Sequence, residues 1–167
     1  EKVFACLDQS KRGYLIQSDF APFVVALIQS HPSLKFLSHE ITLQSAYCRC
    51  IIARIFYTID TDLRGIISYQ KLASSNFCDC LIAVDNAVDV SDVFDYFSYE
   101  HFYVLYSHFS EIDISDAGRI SVDQLASYDD FRIPSQLVTR FVSYIPNHTE
   151  ELISFSEFVY YMCAVED

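Results

Sequence analysis

One pattern recurs along this chain and limits what it can fold into: an apolar helix end, an aspartate, a polar turn, a glycine, an apolar residue two places on, then a new helix start. It fits at Asp8 in "FACLDQSKRGYLIQSDF", at Asp60 in "IFYTIDTDLRGIISYQKL" and at Asp113 in "HFSEIDISDAGRISVDQL". A looser copy starts at Pro146 in "FVSYIPNHTEELISFSEF". Repetition of one supersecondary unit implies neighbours that bury a face none could bury alone. Counting the aspartate as position 1, each copy has an apolar residue at position 8: Leu15, Ile67, Ile120 and Ile153. These are placed to form a short β-bridge with a partner loop. Apolar residues also stand just before each loop (Leu7, Ile59, Ile112, Ile145) and just after position 12 (Phe20, Leu72, Leu125, Phe158). Gly13, Gly65 and Gly118 fall at position 6, where the chain turns sharply.

The flanks read as helices. In "YEHFYVLYSHFSEI", Phe102, Leu105, Tyr106, Phe109 and Ile112 lie on one helical face, and Ile52, Ile55, Phe56 and Ile59 do the same in "IIARIFYTI". These stripes are expected to be core. His31-Pro32 should end a helix, because the residue before proline resists the α region. The fold class expected is all-α: EF-hand-like helix-loop-helix pairs, with short β-bridges between paired loops, in two lobes. The first pair spans 1–76 with loops at 8–19 and 60–71. A partly helical connector spans 77–98. The second pair spans 99–167 with loops at 113–124 and 146–157.

With 167 residues, 51% of them hydrophobic, the chain can build one sizeable domain or two small ones. Its net charge of −12 argues against nucleic-acid and anionic-membrane partners, whose phosphates need Lys and Arg. No apolar run approaches the roughly 18 residues of a membrane span, and no basic stretch with a following apolar segment marks a secretory signal. The chain begins with Glu1, and apolar Val3 and Phe4 come within its first four residues, which reads as a segment cut from something longer. Cys48/Cys50 and Cys78/Cys80 form C-x-C pairs, but structural zinc more often uses C-x-x-C, and residues two apart on a helix diverge. Buried or idle thiols in a reduced compartment are expected, cytoplasmic or also nuclear.

Calcium needs six to eight oxygens, with side-chain ligands at loop positions 1, 3, 5 and 12. Loop one offers Asp8, Ser10, Arg12 and Asp19. Loop two offers Asp60, Asp62, Arg64 and Lys71. Loop three offers Asp113, Ser115, Ala117 and Gln124. Loop four offers Pro146, His148, Glu150 and Glu157. None is complete. Arg64 and Lys71 beside an ion at ~4 Å would each cost about 1–4 kcal/mol at effective dielectrics of 80 to 20. Loop two therefore reads as a non-binder. Lys71 lies near a helix start, where the dipole disfavours positive charge, so its side chain is expected to point to solvent. Ser121/Gln124 and Ser154/Glu157 read as capping boxes that organise the exiting helices without an ion. Calcium is the cofactor these loops suggest, with Asp113, Ser115, Arg119 and Gln124 of loop three as candidate site residues.

"DYFSYEHFYVLYSHFSEID" (95–113) resembles the B-double-prime regulatory subunits of serine/threonine protein phosphatase type 2A. "SDFAPFVVALIQSHPSLKFL" (18–37), "IIARIFYTIDTDLRGIIS" (51–68), "KLASSNF" (71–77) and "ISFSEFVYYMCAVED" (153–167) carry the same resemblance through nearly the whole chain. It implies an elongated, EF-hand-containing regulatory subunit without catalysis of its own. Such a subunit docks on the HEAT-repeat scaffold subunit, contacts the catalytic subunit and selects phosphoprotein substrates. It also implies a calcium hand at the loop of Asp113, and a stronger one beyond residue 167. Asp113 matches that pattern; Ser115, Ala117 and Gln124 depart from it.

Two other classes compete. His31, His39, His101, His108 and His148 form no H-E-x-x-H, and the chain has no nucleophile elbow or phosphate loop, so an enzyme is not expected. A stand-alone calcium sensor is the alternative reading. Its discriminator is the incomplete ligand set. Tyr96, Phe97, Tyr99 and Tyr103 are either core or contact residues, with core the expectation.

Overall fold

The computed structural model describes residues 1–128, 134–145, 148 and 152–166. The recurring pattern produces helix-loop-strand-helix units. In the first, α1 (Lys2–Leu7) leads through a turn into β1 (Tyr14–Leu15) and α2 (Gln17–Ser30). In the second, α3 (Ile41–Ile59) leads into β2 (Ile67–Ser68) and α4 (Tyr69–Ser74). α5 (Phe77–Asn86) and a short 3-10 turn (Val90–Asp92) follow. The third unit is α6 (Tyr99–Ile112), β3 (Arg119–Ser121) and α7 (Val122–Ser127). The fourth contains α8 (Ser135–Val142), β4 (Leu152–Ser154) and α9 (Phe155–Glu166).

The strands pair as the position-8 residues require. β1 and β2 are antiparallel with Leu15 opposite Ile67, and β3 and β4 are antiparallel with Ile120 opposite Ile153. All four side chains are fully buried, so each bridge is also a core contact. The loops reach it by one backbone path. Position 4 is left-handed at Lys11, Leu63 and Asp116 (φ 54°, 55° and 52°). Position 6 is left-handed at Gly13, Gly65 and Gly118. A Cβ at Gly13 or Gly118 would meet nothing within 4 Å, so the glycine is required by its positive φ and not by lack of room.

Helix ends follow local chemistry. α2 stops at Ser30 because His31, ahead of Pro32, is extended (φ −77°, ψ 126°). The chain then tightens into a 3-10 segment, Pro32–His39. His31 Nδ1 accepts the Ser33 N–H at 3.3 Å and sits 2.9 Å from its hydroxyl. That hydroxyl accepts from Val90 N at 3.1 Å. Ser68, Ser98 and Ser121 cap α4, α6 and α7 through their hydroxyls.

α3 is the centre. Its residues from Ala46 to Phe56 are buried apart from Arg49, so it is covered on all sides, and it packs against α2, α6 and α9. The predicted stripes are core: Ile52, Ile55, Phe56 and Ile59 on α3, and Phe102, Leu105, Phe109 and Ile112 on α6, are buried, while Tyr106 is half-buried. Edge-on aromatic pairs bind the helices together. Tyr47–Phe102 (5.2 Å) joins α3 to α6, Tyr57–Tyr160 (5.1 Å) joins α3 to α9, and Phe109–Phe155 (5.3 Å) joins α6 to α9. Both hand pairs therefore contribute to one hydrophobic cluster. Tyr96 and Phe97 are core; Tyr99 is half-buried and Tyr103 is 53% exposed. Among the described residues no helix is long and apolar enough to cross a membrane.

Candidate functional site

Among the described residues, the loops are where oxygen groups stand at the spacing an ion would need, and those groups are engaged by the chain itself. In loop one, Asp8 accepts the N–H groups of Arg12 (2.9 Å) and Gly13 (2.8 Å). Burial pushes the Asp8 carboxyl up, but those N–H groups and the Arg12 charge outweigh it and hold the carboxyl below its usual value. Asp19, at position 12, accepts from Ile16 N at 2.8 Å and from the Arg12 guanidinium at 2.5 Å. Position 5 has thus closed onto position 12.

Loop two corrects an expectation. Lys71 does not point to solvent. Its ammonium donates to Asp60 Oδ1 at 2.7 Å and to Asp62 Oδ1. The dipole at the start of α4 is a small cost beside two carboxylates, one of them fully buried. Asp60 Oδ2 meanwhile accepts from Gly65 N at 2.6 Å. The Lys71 hydrogen bond holds the Asp62 carboxyl below the usual carboxylate range. Partial burial pulls the Lys71 pKa down, but Asp60 and Asp62 more than reverse this and raise it.

Loop three holds the candidate residues. Asp113 accepts from Gly118 N (2.6 Å), Ala117 N (3.1 Å) and the Ser115 hydroxyl (3.2 Å), so Asp113 and Ser115 are brought together. Gln124 turns to helix capping: its Oε1 accepts from Ser121 N at 2.7 Å, while Ser121 Oγ accepts from Gln124 N at 3.1 Å. Its Nε2 donates to Ile112 O at 3.4 Å. Arg119 lies in β3 opposite Ser154. Of these groups Asp113 is the one carboxylate, and Gln124 has committed its oxygen.

In loop four, Pro146 and Glu150 lie outside the described residues. His148, at position 3, meets Glu157, at position 12, with Nδ1 2.6 Å from Oε1. Glu157 Oε2 accepts from the N–H and hydroxyl of Ser154 (2.7 and 2.6 Å), completing the expected cap. Burial pushes the Glu157 carboxyl up, yet Ser154 and His148 together hold it below its usual value.

Loops one and two do not fit calcium, because a guanidinium and an ammonium lie on the carboxylates the ion would need. Reading position by position, the sequence treated Lys71 as repulsive to a metal and missed its attraction to Asp60 and Asp62. The available signal was a cation at position 12 facing acids at positions 1 and 3. Arg54 was also missed, although it is a lone charge in the apolar run "CIIARIF". It is buried on α3 and donates to Phe94 O at 2.6 Å and Tyr96 O at 3.1 Å. A cavity of about 780 Å³ opens beside it, lined by Phe94, His101, Tyr160 and Glu166 among others. His101 stacks on Phe94 (5.2 Å) and approaches Glu166 at 3.2 Å. Burial and the nearby Arg54 charge lower its pKa against the pull of Glu166. Cys48, Cys50 and Cys80 are buried packing groups, whereas Cys6 is exposed; burial pushes Cys50 up to about 12 and Cys80 up to about 11, and Cys80 donates to Asp95 at 3.6 Å.

Paired helix-loop-helix units, joined by position-8 bridges and turned by a position-6 glycine, define an EF-hand protein. A family model described as an EF-hand domain matches residues 1–87, and the chain belongs to that family. Its relatives are more particular. A probable B''delta regulatory subunit of serine/threonine protein phosphatase 2A from Arabidopsis thaliana is 34% identical over 99% of this chain and 32% of its own length. The beta form of the human B'' regulatory subunit of phosphatase 2A is 31% identical over 93% of this chain and 28% of its own length. The delta form from mouse is 35% identical over 92% of this chain and 32% of its own length. Among solved structures, a chain of a PP2A PR70 holoenzyme matches with a TM-score of 0.92 at 33% identity, covering 99% of this chain and 62% of that one. The chain spans about a third of the length of each of these three curated relatives.

Proposed function

We propose that this chain is the EF-hand portion of a non-catalytic regulatory subunit of a type 2A serine/threonine protein phosphatase. In that role it binds the scaffold and catalytic subunits and directs substrate choice. The observation that carries the reading is the likeness to the B'' family along nearly the whole chain, with the same fold in the PR70 holoenzyme. The loops support it over a stand-alone calcium sensor. A sensor needs a conformational gap between ion-free and ion-bound forms. Here loops one and two are closed by Arg12 and Lys71, so the hands act as rigid framework.

Such a framework works through its surface. A net charge of −12 suits basic partner patches. Phe36, Tyr99 and Tyr103 place aromatic rings at the surface, with Phe36–Tyr99 centroids 5.0 Å apart and Tyr99–Tyr103 centroids 6.2 Å apart. Residues 1–76 and 99–167 act as two hand pairs, with 77–98 as the connector that Arg54 anchors. The compartment is cytoplasmic or nuclear. The test is co-purification of the full-length protein with the scaffold and catalytic subunits. Both are expected in the eluate; the absence of both rejects the role.

A further inference from the structure

Loop two fails as a calcium loop because a cation is already there, although it has carboxylates at positions 1 and 3. Each of the four oxygens of Asp60 and Asp62 has a partner from the chain. Asp60 Oδ2 takes the Gly65 N–H at 2.6 Å, and Asp60 Oδ1 takes the Lys71 ammonium at 2.7 Å. Asp62 Oδ1 takes the same ammonium, and Asp62 Oδ2 takes Arg64 Nε at 2.9 Å. The side chain of Asp60 is 0% exposed and that of Lys71 25%. A carboxylate buried so completely needs a compensating charge, because burying it alone costs far more than pairing it.

We infer that Lys71 is the resident cation of this second hand. Its ammonium sits where positions 1, 3 and 12 converge, and supplies the charge balance that a divalent ion supplies in a calcium loop. The hand is therefore closed at every calcium concentration. A metal ion leaves when its concentration falls below its Kd; an ammonium tethered by the chain has no such concentration dependence. Calcium cannot add to the loop without expelling Lys71 from a buried carboxylate and leaving two cations side by side. Lysine suits the role because its ammonium is a compact charge with three donors on a flexible stem, so it can address two carboxylates at once. The inference rests on this loop alone and stands or falls independently of the phosphatase reading.

The chain provides its own reporter. It has three glycines, Gly13, Gly65 and Gly118, one at position 6 of each of the first three hands. A glycine-selective nitrogen label therefore gives one amide signal for each of these three hands, and the Gly65 signal reads the bond to Asp60. The full chain, K71M and the double variant R64N/K71E are compared by this spectrum and by thermal melting, with and without millimolar calcium chloride. In the unaltered chain the Gly65 signal is expected to ignore calcium. K71M is expected to lower Tm by roughly 4–8 °C. R64N/K71E, which restores oxygen ligands at positions 5 and 12, is expected to show a saturable, calcium-dependent shift of Gly65 and a rise in Tm. A saturable Gly65 shift in the unaltered chain overturns the inference, and so does an unchanged Tm in K71M. It is also overturned by a double variant whose Gly13 and Gly118 signals stay native while Gly65 ignores calcium. If the double variant does not fold, the unaltered chain and K71M decide.

Discussion

Glu157 shows how a residue typical of metal binding serves without a metal. One oxygen meets His148 and the other caps α9 through Ser154. Its pKa is lower in the folded chain than the ordinary value of 4.5. Its contribution to stability is therefore complete above 4.5 and is lost as pH falls through the folded value. E157Q is expected to be less stable than the unaltered chain by about 1 kcal/mol near neutral pH. The gap should narrow toward zero in acid. Urea unfolding at neutral and acidic pH checks this, and a gap that widens in acid contradicts it. At position 1, Asp8, Asp60 and Asp113 are likewise engaged by the chain itself: each accepts the N–H of the position-6 glycine in its loop.

At the scale of elements, the β-bridges and caps do what an ion would otherwise do for a pair of hands. Ile120 and Ile153 are both fully buried and face each other across β3 and β4. I153A is expected to cost about 2–5 kcal/mol. Because the partners touch the same bridge, I120A/I153A should cost less than the sum of the single variants. Urea unfolding of the three variants measures the coupling, and strict additivity would mean the bridge is not a unit. S121A removes the cap of α7, at about 1 kcal/mol, and is expected to do so equally with and without calcium.

For the molecule as a whole, α3 ties the two hand pairs together, and its Arg54 fastens the connector between them. The Arg54 guanidinium crosses from α3 to the carbonyls of Phe94 and Tyr96, and its Cζ lies 5.6 Å from the Phe94 ring centre. α3 also packs on α9 from the far end of the sequence. Unfolding is therefore expected to be a single transition, coincident by far-ultraviolet circular dichroism and aromatic fluorescence. R54M should lower the stability by about 2 kcal/mol, because it leaves carbonyl groups without their donor. Separate transitions for the two pairs would contradict the shared core.

The hands are legible in the order of residues alone. The position-6 glycines, the position-8 apolar residues, the capping boxes and the helical stripes are local patterns, and local patterns dictate local backbone. The sequence also carried the family likeness, since that rests on motifs in order. Where the charges go follows only from the folded chain. Lys71 read as a residue for solvent because its attraction to Asp60 and Asp62 depends on a loop closing in space. Arg54 was silent for the same reason, since its partners Phe94 and Tyr96 lie some forty residues further along the chain. A charge is placed by the sum of all its neighbours, and those neighbours exist only once the chain has folded.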